Sequence, residues 1–116
     1  MKTVDVVVPC YNEEEGLEVF LSETSKVVDG IFGYAFTFIL VDDGSRDGTF
    51  SKMKLLAEQR PNVKYLSFSR NFGKEAAMYA GLKYASGDYV IVMDADLQHP
   101  PKMIPDMIQG MEEGYD

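Results

Sequence analysis

The stretch DYVIVMDADLQHPP, residues 88–101, passes from apolar, β-branched residues into two aspartates and stops at two prolines. Its first half is typical of a buried β-strand. Asp94 and Asp96 place two like charges side by side where that strand ends, which is unfavourable unless another group neutralises them. The stretch therefore predicts a strand over 88–94 and a charged site at its carboxyl end.

Three further apolar runs have the same character and lie at 4–10, 36–43 and 63–69. Between and after the runs, apolar residues recur at helical spacing. These stripes are Leu17, Phe20, Leu21 and Val28; Met53, Leu56 and Ala57; Ala77, Ala80, Gly81 and Tyr84; and Ile104, Met107, Ile108 and Met111. The alternation predicts one α/β domain over residues 1–116, with a Rossmann-like, doubly wound, mainly parallel sheet and helices on both faces.

Local signals predict where three of the helices begin. Asn12 is expected to cap the first helix, with Glu15 at the N3 position of a capping box, and Asn71 is expected to cap the third. Pro105 has no amide hydrogen for an earlier turn, so the last helix is expected to start there.

The charge and cysteine content narrow the class of protein. The chain has 19 acidic and 11 basic residues and a formal net charge of −8, which argues against nucleic acid as the main partner. The single cysteine, Cys10, cannot form an internal disulfide, and we expect it to be a small buried side chain in a reducing compartment. No run approaches the ~20 apolar residues of a spanning helix. These features predict a soluble, cytoplasmic domain.

The aspartates after the last predicted strand suggest a metal site. In extended chain, Asp94, Asp96 and Gln98 point to the same side. Their oxygen atoms suit a hard cation such as Mg²⁺ or Mn²⁺. A purely structural alternative is that the aspartates cap the turn that follows.

Polar residues also follow the other predicted strands, and the carboxyl ends of parallel strands meet at one edge of the sheet. Asp42 and Asp43 are suited to accept hydrogen bonds from a ribose or a base, although a turn with a helix cap would use the same residues. Tyr11 offers an aromatic face and Glu13 a carboxylate at a helix start. All four strands thus deliver polar groups to a single predicted site.

Two cations, Arg70 and Lys74, follow the third predicted strand. Such cations suit a diphosphate, although isolated ones are commonly solvated surface charges. Their position at the same edge as the carboxylates favours the binding role.

Four motifs in this order and spacing, VVPCYNEE, VDDGSRDGT, RNFGKEAA and DYVIVMDADLQHPP, resemble family 2 glycosyltransferases with the GT-A fold. Within that family the chain looks most like the polyprenyl-phosphate group, such as dolichol-phosphate mannose synthases and bactoprenol glucosyltransferases. The resemblance implies inverting transfer of a sugar from a UDP- or GDP-sugar to a polyprenyl phosphate, with Mg²⁺ or Mn²⁺ on the diphosphate.

The residues at the strand ends and the resemblance together predict roles for individual residues. The predicted nucleotide-binding residues are Pro9, Tyr11, Asn12, Glu13, Asp42, Asp43 and Ala95. The predicted diphosphate-binding residues are Arg70 and Lys74, and the predicted metal ligands are Asp94, Asp96 and Gln98.

In this family the acceptor-binding elements and any membrane helices follow the region that 1–116 resembles. We therefore expect residues 1–116 to be the nucleotide-sugar-binding part, with the catalytic residues and the contact with a membrane surface beyond Asp116. The full-length protein would then act in the cytoplasm or at the cytoplasmic face of the membrane.

Three other classes of protein are alternatives. A GT-A module could bind a nucleotide sugar without turnover. A phosphoacceptor receiver domain would carry its acidic pair after the first strand and its acceptor aspartate after the third, whereas the acids here follow the second and fourth. A nicotinamide-binding domain would need G-x-G-x-x-G where this chain has PCYNEE.

Overall fold

The computed structural model describes residues 1–96 and 101–114. Strands and helices alternate along the chain, as the sequence predicts. They are β1 (Lys2–Cys10), α1 (Leu17–Val28), β2 (Tyr34–Asp42), α2 (Thr49–Gln59), β3 (Val63–Ser67), α3 (Lys74–Tyr84), β4 (Tyr89–Val92), a short 3₁₀ helix (Pro101–Met103) and α4 (Ile104–Glu112). None of the helices in the described ranges is long and apolar enough to cross a membrane.

The four strands form one parallel sheet in the order β3-β2-β1-β4. The chain moves outward from β1 through β2 to β3 and then crosses back to place β4 on the other side of β1. This reversal leaves a crevice beyond the carboxyl ends of β1 and β4, which is where open α/β sheets bind ligands. The predicted doubly wound, parallel sheet is confirmed.

Helices cover both faces of the sheet, as predicted, but unequally. One face packs against α1, α2 and α4 and contains most of the buried side chains, including Phe20, Phe38 and Ile104. The other face packs against α3, through a small cluster of Val7, Ile39, Val41 and Ala77. The two apolar faces explain why the central strands β1 and β2 are mostly apolar rather than alternating, whereas the edge strand β3 is largely exposed.

Helix α3 lies very close to the sheet at Gly81. A Cβ atom at this position would be 2.3 Å from Cγ1 of Val7. Helix α3 rests on the sheet through Ala77 and Gly81, whereas Tyr79 and Tyr84 are 63% and 48% exposed and are not buried with them. The expectation that Tyr84 belongs to a core stripe is therefore wrong.

The predicted caps of the first and third helices are also wrong. Helix α1 begins at Leu17 after Gly16, and α3 begins at Lys74 after Gly73. Asn12 has a positive φ of 53° and lies in the loop before α1. Asn12 and Asn71 use their side-chain amides to bind other loops, and these long-range contacts replace the local caps.

The last helix begins at Ile104, one residue before the predicted Pro105. Proline is tolerated there because the first amide groups of a helix have no partner within it. At the other end of α4, Oε1 of Glu112 accepts hydrogen bonds from Nζ of Lys2 at 2.9 Å and from the hydroxyls of Tyr34 and Tyr89, each at 2.8 Å. These contacts attach α4 to the amino-terminal ends of three strands.

Candidate functional site

A cavity of about 220 Å³ lies in the crevice between the ends of β1 and β4. Its lining residues come from the end of β1, from the segments after β1, β2 and β4, and from the start of α3. They are Pro9, Cys10, Tyr11, Glu13, Asp43, Lys74, Asp94, Ala95 and Asp96. Apart from Cys10, every one of these residues is a predicted site residue, so the fold brings most of the predicted set together.

The loop after β1 is held by the loop after β2. The backbone N–H of Asn12 donates to Oγ of Ser45 at 2.9 Å, and the side-chain oxygen of Asn12 accepts from the N–H of Arg46 at 2.9 Å. The N–H of Glu13 donates to Oγ1 of Thr49 at 2.8 Å. These bonds fix the segment that carries Tyr11 and Glu13. Asn12 itself lines an adjoining acidic hollow rather than the cavity.

Asp42 is buried below the site and does not line the cavity. Its carboxylate accepts hydrogen bonds from the N–H of Ser45 at 3.0 Å and from Oγ of Ser67 at 3.1 Å. The first contact holds the loop after β2, and the second joins the end of β2 to the end of β3. In this structure Asp42 supports the loops around the cavity.

Asp43 lines the cavity and also anchors the start of α3. Its side chain is buried, with Oδ1 accepting from the N–H of Phe72 at 2.8 Å. Both of its carboxylate oxygens also accept from the N–H of Gly73, and Oδ2 accepts from the side-chain amide of Asn71. Asp43 therefore fixes the turn that immediately precedes Lys74.

Lys74, the first residue of α3, forms an ion pair across the cavity. Its Nζ lies 2.7 Å from Oδ1 of Asp94. Arg70, the other predicted cation, is exposed, and its guanidinium lies 4.8 Å from the centre of the Phe72 ring. Arg70 is not among the cavity-lining residues.

Carboxylates converge on the cavity from β1 and β4. The pKa of Glu13 is raised by partial burial and then by the negative charges of Asp96, Asp47 and Asp94. Oxygen donors in a region of negative potential fit a hard divalent cation. Within the described residues, no three His, Cys, Asp or Glu side chains are already arranged to hold a metal ion. The predicted ligand Gln98 lies outside those residues.

The extended chain on which the predicted alternation of side chains depends does not continue after β4. The strand ends at Val92, and Ala95 and Asp96 form a turn. Asp94, Ala95 and Asp96 nevertheless all line the cavity, because the turn occurs at its wall.

Cys10 is the cavity-lining residue that the sequence did not suggest for the site. Burial raises the pKa of its thiol, and Sγ donates to the carbonyl oxygen of Val8 at 3.3 Å. The thiol therefore stays protonated, in agreement with the prediction of a small buried side chain. Its position directly before Tyr11 at a strand end is the one sequence signal that could have placed it at the site.

The model of Glycosyl transferase family 2 matches residues 5–116. The chain belongs to this family. It is 44% identical over 113 residues to a bactoprenol glucosyl transferase of Shigella phage SfV, with 97% of this chain and 36% of the relative covered. It is 40% identical over 114 residues to an undecaprenyl-phosphate 4-deoxy-4-formamido-L-arabinose transferase of Shewanella sediminis, with 97% of this chain and 34% of the relative covered. The chain spans about a third of the length of these curated relatives.

Solved structures of the same fold support the assignment. A mannosyltransferase from Pyrobaculum calidifontis in complex with GDP-Man and Mn²⁺ matches with a TM-score of 0.72 and 30% identity, covering 86% of this chain and 29% of that one. Glucosyl-3-phosphoglycerate synthase from Mycobacterium tuberculosis in complex with Mn²⁺ and UDP-glucose matches with a TM-score of 0.71 and 30% identity. The match covers 97% of this chain and 40% of that one. The predicted GT-A fold and family 2 membership are confirmed.

Proposed function

We propose that residues 1–116 form the donor-binding part of an inverting glycosyltransferase. The donor is a UDP- or GDP-sugar and the acceptor is a polyprenyl phosphate. The observation that carries this proposal is the cavity at the reversal point of the sheet, where an aromatic ring, carboxylates and a lysine from separate segments meet. The family membership and the nucleotide-sugar and lipid names of its relatives support the substrate classes.

We assign the nucleoside to the β1 side of the cavity. Tyr11 is 43% exposed and offers its ring as a stacking surface, and Pro9 and Glu13 lie beside it. Ala95 lines the cavity from the β4 side and leaves room for the nucleotide. In this proposal, Asn12 and Asp42 hold the loops that surround the nucleotide.

We assign the diphosphate and its metal to the β4 side. Asp94 and Asp96 would hold Mg²⁺ or Mn²⁺, together with Gln98. Lys74 would contact the diphosphate, and Arg70 would add positive charge near it. A bound divalent metal would stabilise the negative charge that develops on the departing diphosphate.

The reaction itself is a displacement at the anomeric carbon of the sugar. A bond forms between an acceptor phosphate oxygen and that carbon, while the bond to the β-phosphate oxygen breaks and its electron pair leaves with the nucleoside diphosphate. A phosphate acceptor is already an anion, so it needs less help from a general base than an alcohol. The acceptor-binding residues, and contact with the cytoplasmic face of a membrane, are proposed for the rest of the full-length protein.

Calorimetric titration with UDP, GDP and ADP, each with and without Mn²⁺, tests the donor site. We expect UDP or GDP to bind with a clear dependence on Mn²⁺ and to bind more tightly than ADP. If neither UDP nor GDP bound, the proposed donor site would be refuted. Transfer from the bound nucleotide sugar to polyprenyl phosphate is then assayed with the full-length protein, and binding without transfer would instead identify a non-catalytic module.

A further inference from the structure

Lys74 and Asp94 form the closest ion pair in the described part of the chain, with Nζ 2.7 Å from Oδ1. The two residues are 20 positions apart in the sequence, on α3 and after β4. The Asp94 side chain is 18% exposed, whereas the Lys74 side chain is 59% exposed. The lysine therefore reaches from solvent into the cavity to meet a carboxylate that is mostly shielded.

The charges around the cavity explain why Asp94 needs a cation. Glu13 and Asp96 line the same cavity, and the raised pKa of Glu13 reflects their mutual repulsion after the effect of burial. Among the described residues, Lys74 contributes the one basic side chain in the lining. The lysine thus supplies positive charge where the acidic cluster would otherwise be unfavourable.

The start of α3 is fixed by hydrogen bonds, whereas the Lys74 side chain is long and mostly exposed. Asp43 holds the N–H groups of Phe72 and Gly73, so the backbone before Lys74 is anchored. The lysine side chain itself is a flexible four-carbon stem that carries a single charge. A stem of this kind allows the ammonium group to change partners without movement of the helix.

We propose that Lys74 is an internal counter-cation for Asp94, and that a divalent metal and the lysine compete for this carboxylate. When the metal binds, the ammonium group leaves Asp94 and contacts the diphosphate of the donor. The second half of this proposal rests on the proposed function. One residue would then neutralise the empty site and bind the phosphates of the filled site.

Competition predicts opposite effects of the same substitution on two ligands. Lys74→Gln removes the competitor, so Mn²⁺ should bind about three- to tenfold more tightly in the absence of nucleotide. The same variant loses a charged contact to the diphosphate. At saturating Mn²⁺, its affinity for UDP or GDP should therefore be lower than that of the unaltered protein by a factor of about ten or more. A residue that only stabilised the fold would not produce effects of opposite sign.

The experiment measures Mn²⁺ affinity without nucleotide, from the electron paramagnetic resonance signal of free Mn²⁺. The matched control is Lys83→Gln, which removes one positive charge from the same helix outside the cavity. Lys74→Arg, which keeps a cation at the site, should leave the Mn²⁺ affinity close to that of the unaltered protein. Circular dichroism melting checks that all three variants are folded.

Unchanged or weaker Mn²⁺ binding by folded Lys74→Gln would overturn the proposal, as would an equal gain in the Lys83→Gln control. The Mn²⁺ comparison uses no nucleotide, so it decides the competition even if neither UDP nor GDP binds. Failure of both UDP and GDP to bind would refute the proposed function instead. Nucleotide affinity that is unaffected by Lys74→Gln would overturn the movement of the lysine to the diphosphate.

Discussion

Replacement of Gly81 by alanine tests how closely α3 rests on the sheet. In a helix interior, a change from glycine to alanine normally stabilises a protein by about 1 kcal/mol. At Gly81 the new Cβ would lie 2.3 Å from Cγ1 of Val7 and 3.3 Å from Cγ2 of Val41. Carbon atoms in normal contact are about 3.5–4.0 Å apart, so either the helix or the valine must move by more than about 1 Å.

The structure offers little room for that movement. Val7 is completely buried in the central strand β1, and a β-branched side chain has few alternative rotamers. Overpacking of this kind costs about 1–3 kcal/mol, and a clash this severe belongs at the upper end of that range. After the gain in helix propensity is subtracted, we expect the free energy of unfolding to fall by about 1–2 kcal/mol.

Thermal and urea unfolding, followed by circular dichroism, measure this change. We expect the Tm of Gly81→Ala to fall by about 4–10 °C. The matched control is Gly110→Ala in α4, where a new Cβ would meet nothing within 4 Å and stability should rise by about 0.5 kcal/mol. A Gly81→Ala variant as stable as the unaltered protein would contradict the close packing of α3.

The remaining predictions concern the site and the α4 contact. Asp43→Ala should lower the free energy of unfolding by about 2–3 kcal/mol, because the partly buried N–H groups of Phe72 and Gly73 lose a charged acceptor. In the same urea titrations, exposed Asp29→Ala should change it by less than about 0.5 kcal/mol. Asp94→Asn combined with Asp96→Asn should abolish the Mn²⁺ dependence of nucleotide binding in calorimetry. If nucleotide binding still depended on Mn²⁺, these two aspartates would not be metal ligands. Hydrogen bonds lower the pKa of Glu112 from 4.5 to about 2. Its stabilising contribution is therefore complete above pH 4.5 and is lost as the pH falls toward 2, so the urea midpoint of Glu112→Gln should depend less on pH in that range.

The positions of the strands follow from local sequence with small errors. The run 36–43 corresponds to Tyr34–Asp42, and the run 63–69 to Val63–Ser67. The first run is apolar because β2 is covered on both faces of the sheet, whereas the edge strand β3 is exposed at Lys64, Tyr65 and Ser67. Helix starts were less predictable, since Asn12 and Asn71 bind loops 34 and 28 residues away, respectively, instead of capping the nearest helix.

The location of the site also follows from the order of the strands and the residues at their ends. Tyr11, Asp43 and Asp94 each follow a strand, and parallel strands bring their carboxyl ends to one edge. Their individual contacts do not follow in this way. Asp42 and Asp43 are neighbours with the same chemistry, yet the first lies below the cavity and the second lines it.

The pattern of apolar runs and polar strand ends was enough to establish a parallel α/β sheet with an acidic site at one edge, because both features repeat within short segments. The contact between Lys74 and Asp94 required the folded chain, since it joins groups 20 residues apart whose distance depends on how α3 packs. Gly81 sets that packing by allowing the helix to approach Val7, whereas a Cβ atom at Gly110 would meet nothing within 4 Å. Short-range preferences specify the elements, whereas side-chain partners across the cavity depend on how those elements are placed in space.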